Sequence, residues 1–293
     1  MTTELTLNQY GKAENHVVRV TRDTDRHAIE DLTVTSQLRG DFEAAHYEGD
    51  NSHVVTTDTQ KNTIFAFARD GIGSPEAFLL RLADHFTGEF DWVTGGRWAA
   101  EQVGWARIED HDHTFYRSSP ETRTAVLVRD GGSDTMISGL YGLSVLKTTA
   151  SGFAGYPKDR YTTLPETDDR ILATDVTTRW RYGSTDGVDW NASYAGIKAT
   201  IMRAFGAEYS KALQQTLYQM ADAVLESHPE VEEIRFSCPN NHHFLSDLAP
   251  FGVDNPGIVF HAADRPYGLI EAAFAREGST AAEAAWTGIA GFC

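Results

Sequence analysis

Apolar residues along this chain switch between strand-like and helix-like spacing, in an order that occurs twice. Near the start, Ala13-Glu14-Asn15-His16-Val17-Val18-Arg19-Val20-Thr21 is β-branched with a short period, and residues 29–38 follow with alternation at Leu32, Val34 and Ser36. These stretches predict two long antiparallel strands. Thr57-Asp58-Thr59-Gln60 has the form of a capping box and leads into Ile64, Phe65 and Ala68, so it predicts a short helix ending at Asp70-Gly71. Ser74 and Pro75 open a second helix with Phe78, Leu79, Leu82, Ala83 and Phe86 on one face. Extended segments return at residues 98–108 and 125–128, with a turn at Asp130-Gly131-Gly132-Ser133.

The same order then repeats. Residues 139–148 and 171–182 read as extended and precede two helices. One runs through Tyr194, Ile197, Ile201, Ala204 and Phe205, the other through Leu213, Leu217, Met220, Ala221, Val224 and Leu225, with His228-Pro229 as its stop. Strands follow at residues 234–237, 257–261 and 269–275. Two strands, two helices and two strands, occurring twice, predict an α+β fold made of two tandem domains, 1–137 and 138–293. Each would be an antiparallel sheet with its helices on one face. No residue-level repeat accompanies the doubling.

Composition narrows the function classes. A chain of 293 residues with 41% hydrophobic residues has enough apolar mass for two ordinary domains. Its formal charge of −17 repels nucleic acid and anionic membranes, so an anionic ligand needs a local basic site. No stretch approaches the roughly 18 apolar residues of a membrane span, and Met1-Thr2-Thr3-Glu4 opens no signal peptide. Cys238 and Cys293 form no disulfide framework and fit no metal-ligand spacing, so the expected compartment is the cytoplasm. The sequon Asn191-Ala192-Ser193 has no meaning there. Nucleotide-binding glycine motifs, a phosphate loop and a His-Glu-x-x-His zinc motif are all missing, and His111-x-His113 among acidic neighbours reads as a solvated turn.

Seven segments carry a more specific signal. They are Tyr10-Gly11-Lys12; Val54-Val55-Thr56-Thr57-Asp58 with Lys61-Asn62-Thr63; Tyr161-Thr162-Thr163-Leu164; and Asp169-Arg170-Ile171-Leu172-Ala173-Thr174-Asp175-Val176. Gln214-Gln215-Thr216-Leu217-Tyr218, Pro239-Asn240-Asn241-His242-His243-Phe244 and Gly268-Leu269-Ile270 complete the set. In these segments and in their order the chain resembles the urate oxidase family nearly end to end. The resemblance implies oxidation of urate by O2 with no cofactor and no metal, on tandem tunnelling-fold domains that assemble as a homotetramer around a central tunnel.

The resemblance also implies roles. Lys12, through Thr57 and beside His242, would relay protons. A lysine with an ordinary pKa of about 10.4 must be buried to accept a proton near neutrality, and a hydroxyl can pass one because it donates and accepts. Without the resemblance, Lys12 is a solvated strand-end lysine and Thr57 a helix cap; if Thr57 relays, the cap falls to Asp58 or Thr59. Arg170 and Gln214 would clamp the purine ring, Arg170 being otherwise one member of a surface ion-pair cluster with Asp168 and Asp169. Phe153 would stack on the ring or be a core phenylalanine. Asp58 and Leu213 would offer backbone N–H groups, the former at the positive end of a helix. Asn240 would hold O2 and then water; alone it is a turn residue, and His242 a satisfied imidazole. Asn241 and His243 are expected to be spectators.

The N-terminal set would meet the C-terminal set of a neighbouring subunit, so assembly would be a condition of activity. Urate, O2 and water are the expected partners. The chain ends Gly291-Phe292-Cys293 rather than in a peroxisomal tripeptide, in keeping with a cytoplasmic enzyme. Two other readings stand beside this one. A pterin-pathway enzyme of the same fold would want an anchoring glutamate and often a zinc-binding histidine set, and a silent purine-binding protein would need the clamp without the relay.

Overall fold

The computed structural model describes residues 3–289, which fall into two compact units. One gathers the residues up to Leu140 with Arg181–Ser193 and Ala282–Trp286; the other gathers Tyr141–Trp180 with Tyr194–Ala281. Cys293 and the terminal tripeptide Gly291-Phe292-Cys293 lie outside the described residues.

In the first unit, β1 (Tyr10–Thr21) pairs antiparallel with β2 (Ala28–Gly40), β2 with β3 (Val93–Arg107), and β3 with β4 (Phe115–Asp130). Helices α1 (Glu43–Tyr47), α2 (Thr57–Arg69) and α3 (Pro75–Glu89) come between β2 and β3. Helix α2 packs on β1, and α3 packs on β3 and β4. The apolar face of α3 is the predicted one: Phe78, Leu79, Leu82, Ala83 and Phe86 are buried with Leu32, Val34, Leu38, Trp98 and Leu127 of the strands. Ser74 caps α3 by accepting from the Ala77 N–H at 3.1 Å.

The order then repeats through β5 (Ser133–Lys147), β6 (Leu172–Tyr182), α4 (Trp190–Ala207), α5 (Leu213–Ser227), β7 (Val231–Leu245) and β8 (Phe260–Ala275). The β4–β5 turn carries Gly131 at φ 55° and Gly132 at φ 81°, the left-handed pair that a tight hairpin requires. In the second unit α5 lies on β7 and β8 and buries Leu213, Leu217, Met220, Ala221 and Val224. The class is therefore α+β, with antiparallel strands in chain order. A four-residue helix α6 (Glu283–Trp286), α1 and one 3-10 turn at Ala249–Phe251 are too short to leave a periodic signal.

Several strands differ from expectation, among them β7, which runs Val231–Leu245 rather than over residues 234–237 alone. Strand β4 extends well beyond residues 125–128 because its buried positions include Glu121, Thr122, Arg123 and Thr124, whose polarity hides them from a hydrophobic pattern. Arg123 is paired inside: its Nη2 donates to Glu76 Oε2 at 2.7 Å, its Nη1 to Asn191 at 2.7 Å, and Ser138 donates to the other oxygen of Glu76 at 2.6 Å. Residues 257–261 and 269–275 do not form separate strands, since the end of the first range and all of the second lie in the single strand β8. Its pairing with β7 jumps from Asn240↔Gly268 to His242↔Ala263, so the turn-forming residues between Ala263 and Gly268 are absorbed in a bulge. Among the described residues, no helix is long and apolar enough to cross a membrane.

Candidate active site

A cavity of about 570 Å³ opens in the second unit, within the ~300–1,000 Å³ usual for small-molecule sites. Phe153, Arg170, Leu213, Gln214, Asn240 and His242 all line it. Four separate chain segments therefore converge where the sequence placed one binding set.

Phe153 sits in a short loop that is pinned by backbone pairing. Its N–H donates to Thr167 O at 2.7 Å, and the Thr167 N–H returns a bond of 3.1 Å. The ring is backed by Tyr156, stacked at 4.9 Å with 17° between planes. The Arg170 guanidinium lies 5.5 Å from the centroid of Phe153, within cation–π range. Arg170 forms no ion pair among the described residues. Asp169 accepts from Thr149 Oγ1 at 2.8 Å, and the Asp168 carbonyl accepts from the Tyr209 hydroxyl at 2.6 Å. The reading of Arg170 as part of a surface ion-pair cluster is thereby corrected. Its Nε is buried without a partner, and burial holds the guanidinium pKa below its ordinary value. A positive fork with open donors suits a planar ligand carrying carbonyl oxygens.

Helix α5 begins at the cavity wall. Ala212, at its N-cap, has no side chain to accept from the first N–H groups. The Leu213 side chain is only 2% exposed and belongs to the core, so this residue offers the cavity its backbone. Gln214 is exposed beside it. Asn240 and His242 reach the cavity from β7, whereas Asn241 between them turns away and donates to Asp175 Oδ2 at 2.8 Å. The His242 ring stacks on Phe244 at 5.6 Å. Burial, then the charges of Arg170 and His243, push the His242 pKa below the ordinary histidine value. His243 also lines the cavity, bonded through Nδ1 to Asn241 O at 3.0 Å, which sequence reasoning missed. Strict alternation predicts it on the other face, yet the consecutive residues His242, His243, Phe244 and Leu245 all line the cavity.

Lys12, Thr57 and Asp58 lie in the first unit and are not part of the cavity lining. Gly11 lets β1 and β2 approach closely beside Lys12, since a Cβ there would stand 1.8 Å from Ser36 O. The strand register slips directly after Lys12, where Asn15 donates to Lys12 O at 3.1 Å and Val34 O at 2.8 Å. Thr56 caps α2 by accepting from the Thr59 N–H at 3.0 Å, so neither Asp58 nor Thr59 takes that role. Gln60 is equally not a capping-box partner: it is buried and accepts from Ser36 Oγ at 3.0 Å. The Thr57 hydroxyl is exposed and makes no hydrogen bond among the described residues. Asp58 is held by Lys61 at 2.5 Å and Asn62 at 2.9 Å; these bonds, with a smaller effect from the charge of Lys12, keep its pKa below the ordinary carboxylate value. The side chain is occupied on the helix surface, which leaves its backbone for any ligand.

Among the described residues, no group of three or more His, Cys, Asp or Glu side chains is arranged to hold a metal ion. His111 and His113 sit exposed in the turn between β3 and β4, as expected. Cys238 is buried, and burial pushes its thiol up to about 12.

The family model for Uricase matches residues 8–128 and 136–271. The chain belongs to the uricase family. A uricase from Arthrobacter globiformis is 62% identical over 286 residues, covering 98% of this chain and 94% of its own length. A uricase from Oryctolagus cuniculus is 35% identical over 288 residues, covering 94% and 96%. The crystal structure of the Arthrobacter globiformis uricase superposes with a TM-score of 0.94 at 61% identity, over 98% of this chain and 100% of that one. A urate oxidase from Bacillus sp. TB-90 shares the fold, with a TM-score of 0.79 at 23% identity over 92% and 100%. The uricase match takes in Lys12, Thr57 and Asp58 as well as the six cavity residues.

Proposed function

We propose that this member of the uricase family oxidises urate with O2 and water to 5-hydroxyisourate and H2O2, using no metal or organic cofactor, in the cytoplasm. The observation that carries the proposal is the unpaired Arg170 guanidinium beside the Phe153 ring, facing the uncapped start of α5. That combination offers a face to stack on and a set of fixed donors for a flat, oxygen-rich anion.

Arg170 and Gln214 hold the ring edges, Phe153 lies on its plane, and the backbone N–H groups of Leu213 and Asp58 supply further donors. Urate deprotonated in the site is the electron donor to O2. The hydroperoxide formed on the ring loses H2O2, and water adds to the dehydrourate; Asn240 holds first O2 and then that water. Lys12, Thr57 and His242 carry the protons. The protein's contribution is orientation, proton transfer and electrostatic support. A His242 kept neutral by its surroundings can accept or pass a proton near neutral pH.

Lys12, Thr57 and Asp58 belong to the first unit, and His242, Asn240 and the clamp to the second; the two sets that share one site come from neighbouring subunits. The assembly is a homotetramer of tandem tunnelling-fold domains, 1–137 and 138–293, around a central tunnel. The doubled element order supports this reading, as does the placing of Lys12, Thr57 and Asp58 outside the cavity lining. Chelator-treated protein incubated with urate tests the chemistry. The expected result is one O2 consumed and one H2O2 formed per urate lost; urate binding without turnover, or turnover restored only by added metal, overturns it.

A further inference from the structure

Between α4 and α5, residues 209–210 touch every segment that builds the clamp. Ser210 is fully buried; its carbonyl accepts from the Gly152 N–H at 2.8 Å, and its N–H donates to Ala150 O at 3.0 Å. The Phe153 loop is thus tied on one side. Its hydroxyl is bonded to Thr216 Oγ1 and donates to Ala212 O at 3.1 Å, which ties the start of α5. Tyr209 supplies the third tie, since its hydroxyl donates to Asp168 O at 2.6 Å, two residues before Arg170. The same oxygen packs against Gly152: a Cβ on that glycine would lie 2.2 Å from Tyr209 Oη and 2.9 Å from Thr167 O.

We infer that Tyr209 is a positioning residue for the clamp, holding the loop of Arg170 against the loop of Phe153 through its single hydroxyl. The inference rests on the reading of the cavity as the urate site. Tyr209 touches neither Arg170 nor the ring by a bond of its own; it acts through the Asp168 carbonyl and the Gly152 backbone. Gly152 is required because any side chain there would push the hydroxyl off its acceptor. The sequence gives no sign of this, because a tyrosine just ahead of a helix has many ordinary uses.

The test is Tyr209→Phe, which keeps the ring and removes only the hydroxyl, measured beside Arg170→Ala and the double variant. The readouts are KM for urate, and Kd for xanthine, which lacks the 8-oxo group of urate. Loss of one intramolecular hydrogen bond predicts a rise of about 2- to 10-fold in both constants for Tyr209→Phe. In the Arg170→Ala background the same substitution should have a clearly smaller further effect, because only the route through Gly152 and Phe153 remains. Gly152→Ala should raise KM in the same direction. The proposal is overturned if Arg170→Ala weakens binding while Tyr209→Phe only lowers the melting temperature, with KM and Kd unmoved. A full Tyr209 effect persisting without Arg170 overturns it as well. If Arg170→Ala itself leaves both constants unchanged, the clamp reading fails and this proposal falls with it.

Discussion

At the residue scale, the site depends on what is left unpaired. Arg170 follows two aspartates in sequence, yet it pairs with neither and keeps a buried donor at Nε, while the Asp169 carboxylate accepts from Thr149. A stretch of three charged residues cannot show this, because the side on which each projects is set by tertiary contacts such as the Tyr209 bond to Asp168. Arg170→Lys retains the charge but loses the fork. The expected cost in urate binding is about 2 kcal/mol, the range of a charge-assisted hydrogen bond, visible as a KM rise of ~30-fold with the fold intact. His242 offers a second check. Its pKa lies below the ordinary histidine value partly through the charge of Arg170, so it takes a proton only at lower pH than a free histidine. Arg170→Gln removes that charge and should move the His242 titration toward higher pH, as followed by NMR; a shift the other way contradicts the assignment.

At the scale of elements, the start of α2 separates two adjacent threonines by task. Thr56 is the cap and Thr57 is the first helical residue with an open hydroxyl. The sequence correctly locates a helix start and a capping motif there, but places the motif one residue late. Thr57-x-x-Gln60 has the capping-box form, but Gln60 is buried against Ser36 and the cap falls one residue earlier, to Thr56. Thr56→Ala should lower stability by about 1 kcal/mol in denaturant unfolding, the usual cost of a lost cap. Thr57→Val should instead leave stability near that of the parent and abolish most turnover, with Thr57→Ser retaining it; equal losses of stability from both positions would contradict the separation. The longer helices α2 to α5 were legible because their apolar faces repeat cleanly. Strands β4 and β8 were not, because buried polar residues interrupt one and a bulge interrupts the other.

At the scale of the whole molecule, the sequence showed the doubling of the element order and the segments of the uricase family, and both are independent of exact boundaries. A net charge of −17 already requires a local basic site for any anionic ligand, but composition could not show where it lies; the partly buried Arg170 in the cavity fits that need. The central claim is that Lys12 and Thr57 come from a different subunit than the clamp they serve. It is tested most directly by co-assembling a Lys12→Ala chain with an Arg170→Ala chain, each inactive alone. Random mixing in equal amounts makes about one quarter of the shared sites intact, so verified hybrid tetramers should recover about one quarter of the parent activity. Hybrids that remain at the baseline of the single variants would contradict the account.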